Sequence, residues 1–220
     1  MDCEKKKGKG IALVTLSVLE ANEIDIANCR AQAYDNGSDM SGIYNGAQAM
    51  IARVNPFAKY LPCSTHSLNL AGVHAAESSV PMKTYFGNIQ KLYNFFSSSP
   101  ARWKILKETA DISLHSMSTT RWSARIEAVK PLSKKPKEIV LALQTVKSNL
   151  DLPSDLINEV DSLLKWIRSF DFVLLTTFWV KVLQSINDVS ILLQGTQITL
   201  DEEVRLIGSL VDDIRSMRLS

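Results

Sequence analysis

Cysteine is scarce: the 220 residues contain three, Cys3, Cys29 and Cys63. A low, odd count in a chain this long argues against a disulfide framework and for a reducing compartment. Long apolar runs are missing too. The best of them, Phe172 to Val180, is bounded by Asp171 and Lys181, well short of the roughly 20 residues that span a bilayer. The basic stretch MDCEKKKGKG at the amino terminus leads into no clean apolar signal region. Secreted and membrane classes are therefore not expected. The sequence also has no internal repeat and no low-complexity segment. What it does have is a 45% hydrophobic content, enough for a core, in one large domain or two small ones.

A net charge of +2 names no partner, but its distribution is informative. Residues 83–137 carry 11 basic and 3 acidic side chains, whereas residues 151–220 carry 6 basic and 11 acidic. A positive surface attracts phosphate even where the whole-chain charge hides it.

Periodicity divides the chain. Ile11, Val14, Val18 and Leu19 have helical spacing, and Asn22 to Asp25 read as the exit. Cys29, Ala31 and Ala33 alternate with Arg30, Gln32 and Tyr34, the period of two of a strand. Asp35-Asn36-Gly37-Ser38 breaks it with turn chemistry. A helix over Ile43, Ala47, Met50, Ile51 and Val54 is stopped by Asn55-Pro56, and residues 58–63 read as a second short strand with Pro62 at an edge or an end. Leu68, Ala71 and Ala75 open another helix. The first third is thus α-β-α-β-α, a layered α/β arrangement.

Beyond about residue 80 the strand pattern stops. Tyr85, Phe86, Ile89, Leu92, Tyr93 and Phe96 form an apolar stripe closed by Ser97-Ser98-Ser99-Pro100. Helices are expected at 101–110 and 122–130, then a basic loop (Lys130, Lys134, Lys135, Lys137) punctuated by Pro131 and Pro136. Further helices are expected around Ile139–Val146, Pro153–Ile167 and 171–193. A capping box, Thr199 and Glu202, opens the last one. The expected organisation is an α/β module over 1–80 and an all-helical module over 81–220.

Taken singly, the candidate chemical groups compete with simpler roles. Asp35 at a strand end suits a divalent metal, yet Asp-Asn-Gly is also ordinary turn chemistry. Cys63 and His66 have half the spacing of a zinc knuckle, but Cys3, Cys29, His74 and His115 supply no second close pair for the four ligands a structural zinc needs. Arg121-Trp122 lies in a polar stretch of the basic region, where an Arg beside an aromatic can hold phosphate and stack an unpaired base. A Trp at a helix start also serves packing.

Taken in order, these residues resemble a family. The run Asn28-Cys29-Arg30-Ala31-Gln32-Ala33-Tyr34-Asp35-Asn36-Gly37-Ser38-Asp39-Met40-Ser41-Gly42, continued by Tyr44-Asn45-Gly46-Ala47-Gln48 through Asn55-Pro56, is similar to the second-aspartate block of hAT-superfamily DNA transposases. Cys63-Ser64-Thr65-His66-Ser67-Leu68-Asn69-Leu70 resembles their Cys-x-x-His block, Thr120-Arg121-Trp122-Ser123-Ala124-Arg125 their Arg-Trp block, and Lys91-Leu92-Tyr93-Asn94-Phe95-Phe96-Ser97 matches as well. Within the superfamily the likeness is to transposon-derived proteins of the zinc finger MYM-type protein 1-like group. It covers residues 8–130.

The resemblance implies an RNase H-like core interrupted by a helical insertion domain. In the family, three acidic residues hold two Mg²⁺ or Mn²⁺ ions for phosphodiester transfer. Asp35 matches the second acid, Cys63 matches a position at the edge of that metal site, and His66 a DNA-facing one. Arg121 and Trp122 match the pair that holds a flipped base, with Arg125 beside them. The first acid belongs on an opening strand that has no counterpart here. For the third, only Glu202 and Glu203 are available, and capping explains them. One carboxylate of three assembles no two-metal site. The expectation is a truncated, transposase-derived protein of nuclear or, failing that, cytoplasmic residence, without catalysis or a bound metal. It would bind DNA through 83–137. The competing expectation is a helical module that binds a protein partner or itself.

Overall fold

The computed structural model describes residues 7–117, 123–149, 151–195 and 197–217. The chain is a mixed α/β plus all-helical protein, mostly helical, and divides into two compact units, Met1–Leu68 and Asn69–Ser220. The division lies within the helix Ser64–Ala76, earlier than the change of pattern near residue 80.

The first unit runs α1 (Gly8–Ala21), a 3₁₀ turn (Ile26–Asn28), β1 (Ala31–Tyr34), α2 (Ser38–Ser41), α3 (Ala47–Val54), β2 (Lys59–Pro62) and the start of α4 (Ser64–Ala76). The two strands are parallel, with Ala31 opposite Lys59 and Tyr34 opposite Pro62, and α2 and α3 form the crossover that parallel pairing requires. Small residues let the layers close up: Ala12, Ala47, Ile51 and Ala58 are buried together, with Ile11, Met40 and Met50 packed around them. Gly8 and Gly46 are forced by the same approach. A Cβ on Gly8 would overlap the Asn45 and Asp39 carbonyl oxygens, and one on Gly46 would overlap the Gly42 backbone.

Two expectations for this unit are corrected. The alternation in β1 is real but inverted: Ala31 and Ala33 are exposed, and Gln32 is buried. Its amide reaches two neighbouring segments, donating to Gln48 O (3.1 Å) and Ala58 O (2.8 Å), which an alanine cannot do. The helix expected from Ile43 starts only at Ala47. Ile43 and Tyr44 lie in an exposed turn because Gly42 and Gly46 pinch the backbone between them.

Asn55 does more than stop α3. It is 4% exposed. Its amide donates to Ile26 O (2.7 Å) and Cys29 O (2.8 Å), while its Oδ1 accepts from the Phe57 amide (2.9 Å). One side chain therefore fastens the entry of β1 to the exit of α3. Leaving those groups buried without partners carries a desolvation cost. Asn55→Ala is expected to lower the unfolding free energy by about 2 kcal/mol, read as a fall in the urea midpoint of the circular dichroism signal at unchanged slope. An unchanged midpoint would refute the brace.

The second unit contains α5 (Val80–Ser97), α6 (Pro100–Ala110), α7 (Ser123–Lys134), α8 (Pro136–Asn149), α9 (Ser154–Ile167), α10 (Phe170–Leu192) and α11 (Leu200–Ser216). Serine caps start several of them: Ser79, Ser99 and Ser169 accept from the backbone amide three residues on. Thr199 and Glu202 form the expected capping box. The core is built on α5, whose Tyr85, Phe86, Ile89, Leu92, Phe95 and Phe96 are all buried. α7 packs on α10, α8 on α6 and α9, and α11 on α10.

The basic loop expected at 130–137 does not form. α7 continues through Pro131 to Lys134, and only Lys135 separates it from α8. A proline inside a helix removes one hydrogen bond and crowds the preceding turn. Here Val129 and Leu132, at 0% and 1% exposure, keep the apolar face in the core on both sides of it, so burial overrides the local rule. No single described helix is long and apolar enough to cross a membrane.

Candidate nucleic-acid interface

Parallel pairing brings the carboxyl ends of β1 and β2 to the same side of the first unit, where ligands of parallel sheets usually sit. Asp35 follows β1 and Cys63 follows β2, joined by the bond from the Cys63 amide to Tyr34 O (3.1 Å). His66 lies half-buried in the first turn of α4. Polar contacts fix this corner: Asn36 Nδ2 donates to Ser67 Oγ (2.9 Å), Ser67 Oγ donates to Cys63 O (3.0 Å), and Tyr60 Oη donates to Asp35 O (3.2 Å). Tyr34 and Tyr60 stack with ring centroids 6.2 Å apart. Burial first, then the nearby Asp35 carboxylate and Cys63, pushes the Tyr60 phenol above its ordinary value.

The Asp35 carboxylate is exposed, and its Oδ1 accepts from the Gly37 amide (3.1 Å), the Asx-turn geometry that the turn reading implies. This corner does not fit a Mg²⁺ or Mn²⁺ pair. Hard cations want several oxygen ligands, and the other two residues matched to this corner, Cys63 and His66, offer a thiol and an imidazole instead. Among the described residues no three His, Cys, Asp or Glu side chains gather as a metal site.

In the helical unit, Arg121 and Trp122 lie outside the described residues. Arg125 is described, and it points inward. Its side chain is 8% exposed. The guanidinium sits 4.8 Å over the Phe86 ring, and Nη2 is 3.9 Å from Glu77 Oε1. Burial pulls this guanidinium below its ordinary value and Glu77 opposes that pull; an arginine remains charged throughout. Its place is the packing between α5 and α7 rather than the solvent face. Arg102 is similar, 4.6 Å over Phe95.

With these two arginines buried, the solvent-facing charge of 83–137 rests, among the described residues, on lysines. Lys135 Nζ donates to Ala110 O (2.8 Å) at the end of α6, and Lys107 Nζ, from the last turn of α6, donates to Ser113 Oγ (2.7 Å). Lys134 and Lys137 flank Lys135 and are exposed. Because α6 packs on α8, charges far apart in sequence come to one end of the bundle. The sequence marked Lys134, Lys135 and Lys137 as a basic run, but not Lys107, whose place depends on that packing. A helix carboxyl end carries partial negative charge and draws cations by itself, which accounts for Lys135 but not for the exposed pair beside it.

No protein-family model matches the chain, and no solved structure matches it.

Proposed function

We propose that the protein is a transposase-derived, non-catalytic DNA-binding protein that acts in the nucleus, with its first unit a portion of an RNase H-like core. The observation that carries the reading is the lysine group Lys107, Lys134, Lys135 and Lys137 at the α6–α7–α8 end of the helical unit. These are flexible point charges, suited to the phosphate backbone and carrying no base readout of their own. Parallel β1 and β2, with Asp35 at a strand end, support the core assignment without making it an active centre, since a single carboxylate cannot hold the two ions such chemistry uses. Arg121 and Trp122 supply an end-recognition element in this reading, stacking a base that has left its duplex.

The test is fluorescence anisotropy with blunt and hairpin-ended duplexes between about 50 and 200 mM salt. Affinity is expected to fall on the order of 100-fold over that range. A triple variant, Lys107→Gln, Lys134→Gln and Lys137→Gln, is expected to reduce the slope of log affinity against log salt by about 2–3; Lys135 is left intact because it caps α6. Trp122→Ala is expected to remove preference for the hairpin end. Salt-independent binding, or binding indifferent to the triple variant, overturns the reading.

A second reading, a helical module for a protein partner, is favoured by one feature. Phe170, Val173, Leu174 and Phe178 form an exposed apolar stripe along α10, at the spacing of one helix face. Partner binding or self-association without DNA affinity would favour it.

A further inference from the structure

α11 carries the inference. Its inner face packs on α10 through Leu210, its one fully buried residue, with Leu206, Ile207 and Ile214 half-buried beside it. The opposite edge is also patterned. Leu200, Val204 and Val211 are exposed at 60%, 65% and 40%, and between them lies Gly208. A glycine inside an exposed helix is unfavourable relative to alanine by about 1 kcal/mol. A Cβ at Gly208 would meet nothing within 4 Å, so packing within this chain does not require its absence. A glycine flanked on one stripe by two valines permits close approach of another backbone.

The charges say which backbone. Asp201 and Arg215 lie seven residues to either side of Gly208, and a step of seven returns to the same helix face. All three positions are exposed. A helix crossing a copy of itself antiparallel, about a two-fold axis at Gly208, places Asp201 of each copy against Arg215 of the other. The same axis sets Val204 opposite Val211 of the second copy, to within one residue. Arg215 is at present 3.5 Å from Asp212, both sides of that pair more than 70% exposed. Such surface pairs contribute little, so it does not hold Arg215 back. Self-complementarity of this kind is the signature of an isologous interface.

We infer that α11 is a homodimerisation helix, paired antiparallel with α11 of a second copy at Gly208. One helix face buries less than the roughly 1,000 Å² of a permanent interface, so the dimer is a weak, concentration-dependent one. The inference does not depend on DNA binding.

The experiment is sedimentation velocity on the full chain over a concentration series, with circular dichroism to verify that each variant keeps its helix content. Wild type is expected to pass from monomer to dimer as concentration rises. Gly208→Glu, whose side chain has free room within one chain, is expected to abolish the dimer while leaving the helix content in place. Asp201→Arg and Arg215→Asp are each expected to weaken association about tenfold, as charge pairs at interfaces do, and the double exchange to restore it. A wild type that stays monomeric throughout overturns the inference and leaves this edge to another protein. So does a dimer insensitive to Gly208→Glu, which would place the contact elsewhere, the α10 stripe included. Neither outcome touches the salt-dependent DNA assay.

Discussion

Replacing Arg125 with alanine is expected to lower the stability of the helical unit by about 3 kcal/mol, while Arg125→Met stays within about 1.5 kcal/mol of wild type. The difference comes from what the side chain does. Its guanidinium lies 4.8 Å over Phe86, a stacking worth about 2 kcal/mol when desolvated, and its aliphatic stem fills space between α7 and α5. Alanine loses both and leaves a cavity. Methionine loses the charge, keeps most of the volume, and removes the desolvation penalty that a buried cation carries. Arg125→Lys falls between them, because an ammonium lacks the planar face that stacks on a ring. Glu77 matters less: its side chain is 57% exposed, so Glu77→Gln is expected to change stability by less than about 1 kcal/mol. Urea unfolding followed by circular dichroism orders the series. The same Met variant tests the DNA assignment that the sequence suggested. A buried packing cation leaves DNA affinity unchanged when its volume is conserved. A fall in affinity of the folded Met variant would return Arg125 to the interface.

Arg125 also marks how far the sequence could be read. Signals that depend on neighbours within a turn were legible. The Thr199–Glu202 box caps α11, Asn55-Pro56 ends α3, and the stripe from Tyr85 to Phe96 faces the core. Within that stripe one position moved. Phe95 is buried, and Tyr93 is only half-buried, edge-on to Trp103 at 6.4 Å, because α6 lies along that side of α5. Roles set by distant partners were not legible. Gln32 gains its burial from carbonyls 16 and 26 residues away, and Arg125 gains its ring from Phe86 on another helix. A polar residue that alternates with alanines reads as solvent-facing, and an arginine in a basic run reads as phosphate-facing, until tertiary contacts are known. Pro131 is the same lesson reversed: a strong local breaker yields to a core that holds both of its neighbours. For the candidate site, the strand-end placement of Asp35 and Cys63 followed from the pattern. The joining of Lys107 to the Lys134–Lys137 run required the packing of α6 on α8.

The other large effect expected is alkaline. Tyr85 is 1% exposed and donates its hydroxyl to Thr176 Oγ1, 3.0 Å away on α10. It stands among Phe86 and Trp166, at ring centroid distances of 5.2 and 6.1 Å. Burial pushes its phenol far above the ordinary value, and the bond to Thr176 opposes that only in part. A pKa raised in the folded state means that the folded protein holds a proton which the unfolded chain releases near pH 10. The stability contributed by the neutral phenol is therefore complete below about pH 10 and is lost as pH rises above it, by about 1.4 kcal/mol per pH unit. Tyr85→Phe separates this from the titration of lysines and of other tyrosines, which both proteins share. At pH 7 the variant is expected to be about 1 kcal/mol less stable, because the Thr176 hydroxyl loses its buried partner. Above pH 10 the deficit shrinks, and about one pH unit later it reverses, since phenylalanine has no proton to release. Urea midpoints of the two proteins from pH 7 to about pH 11.5 measure the crossing. Parallel curves, with the deficit constant across the range, would show that Tyr85 titrates alike in the folded and unfolded states, which its burial among α5, α9 and α10 does not allow.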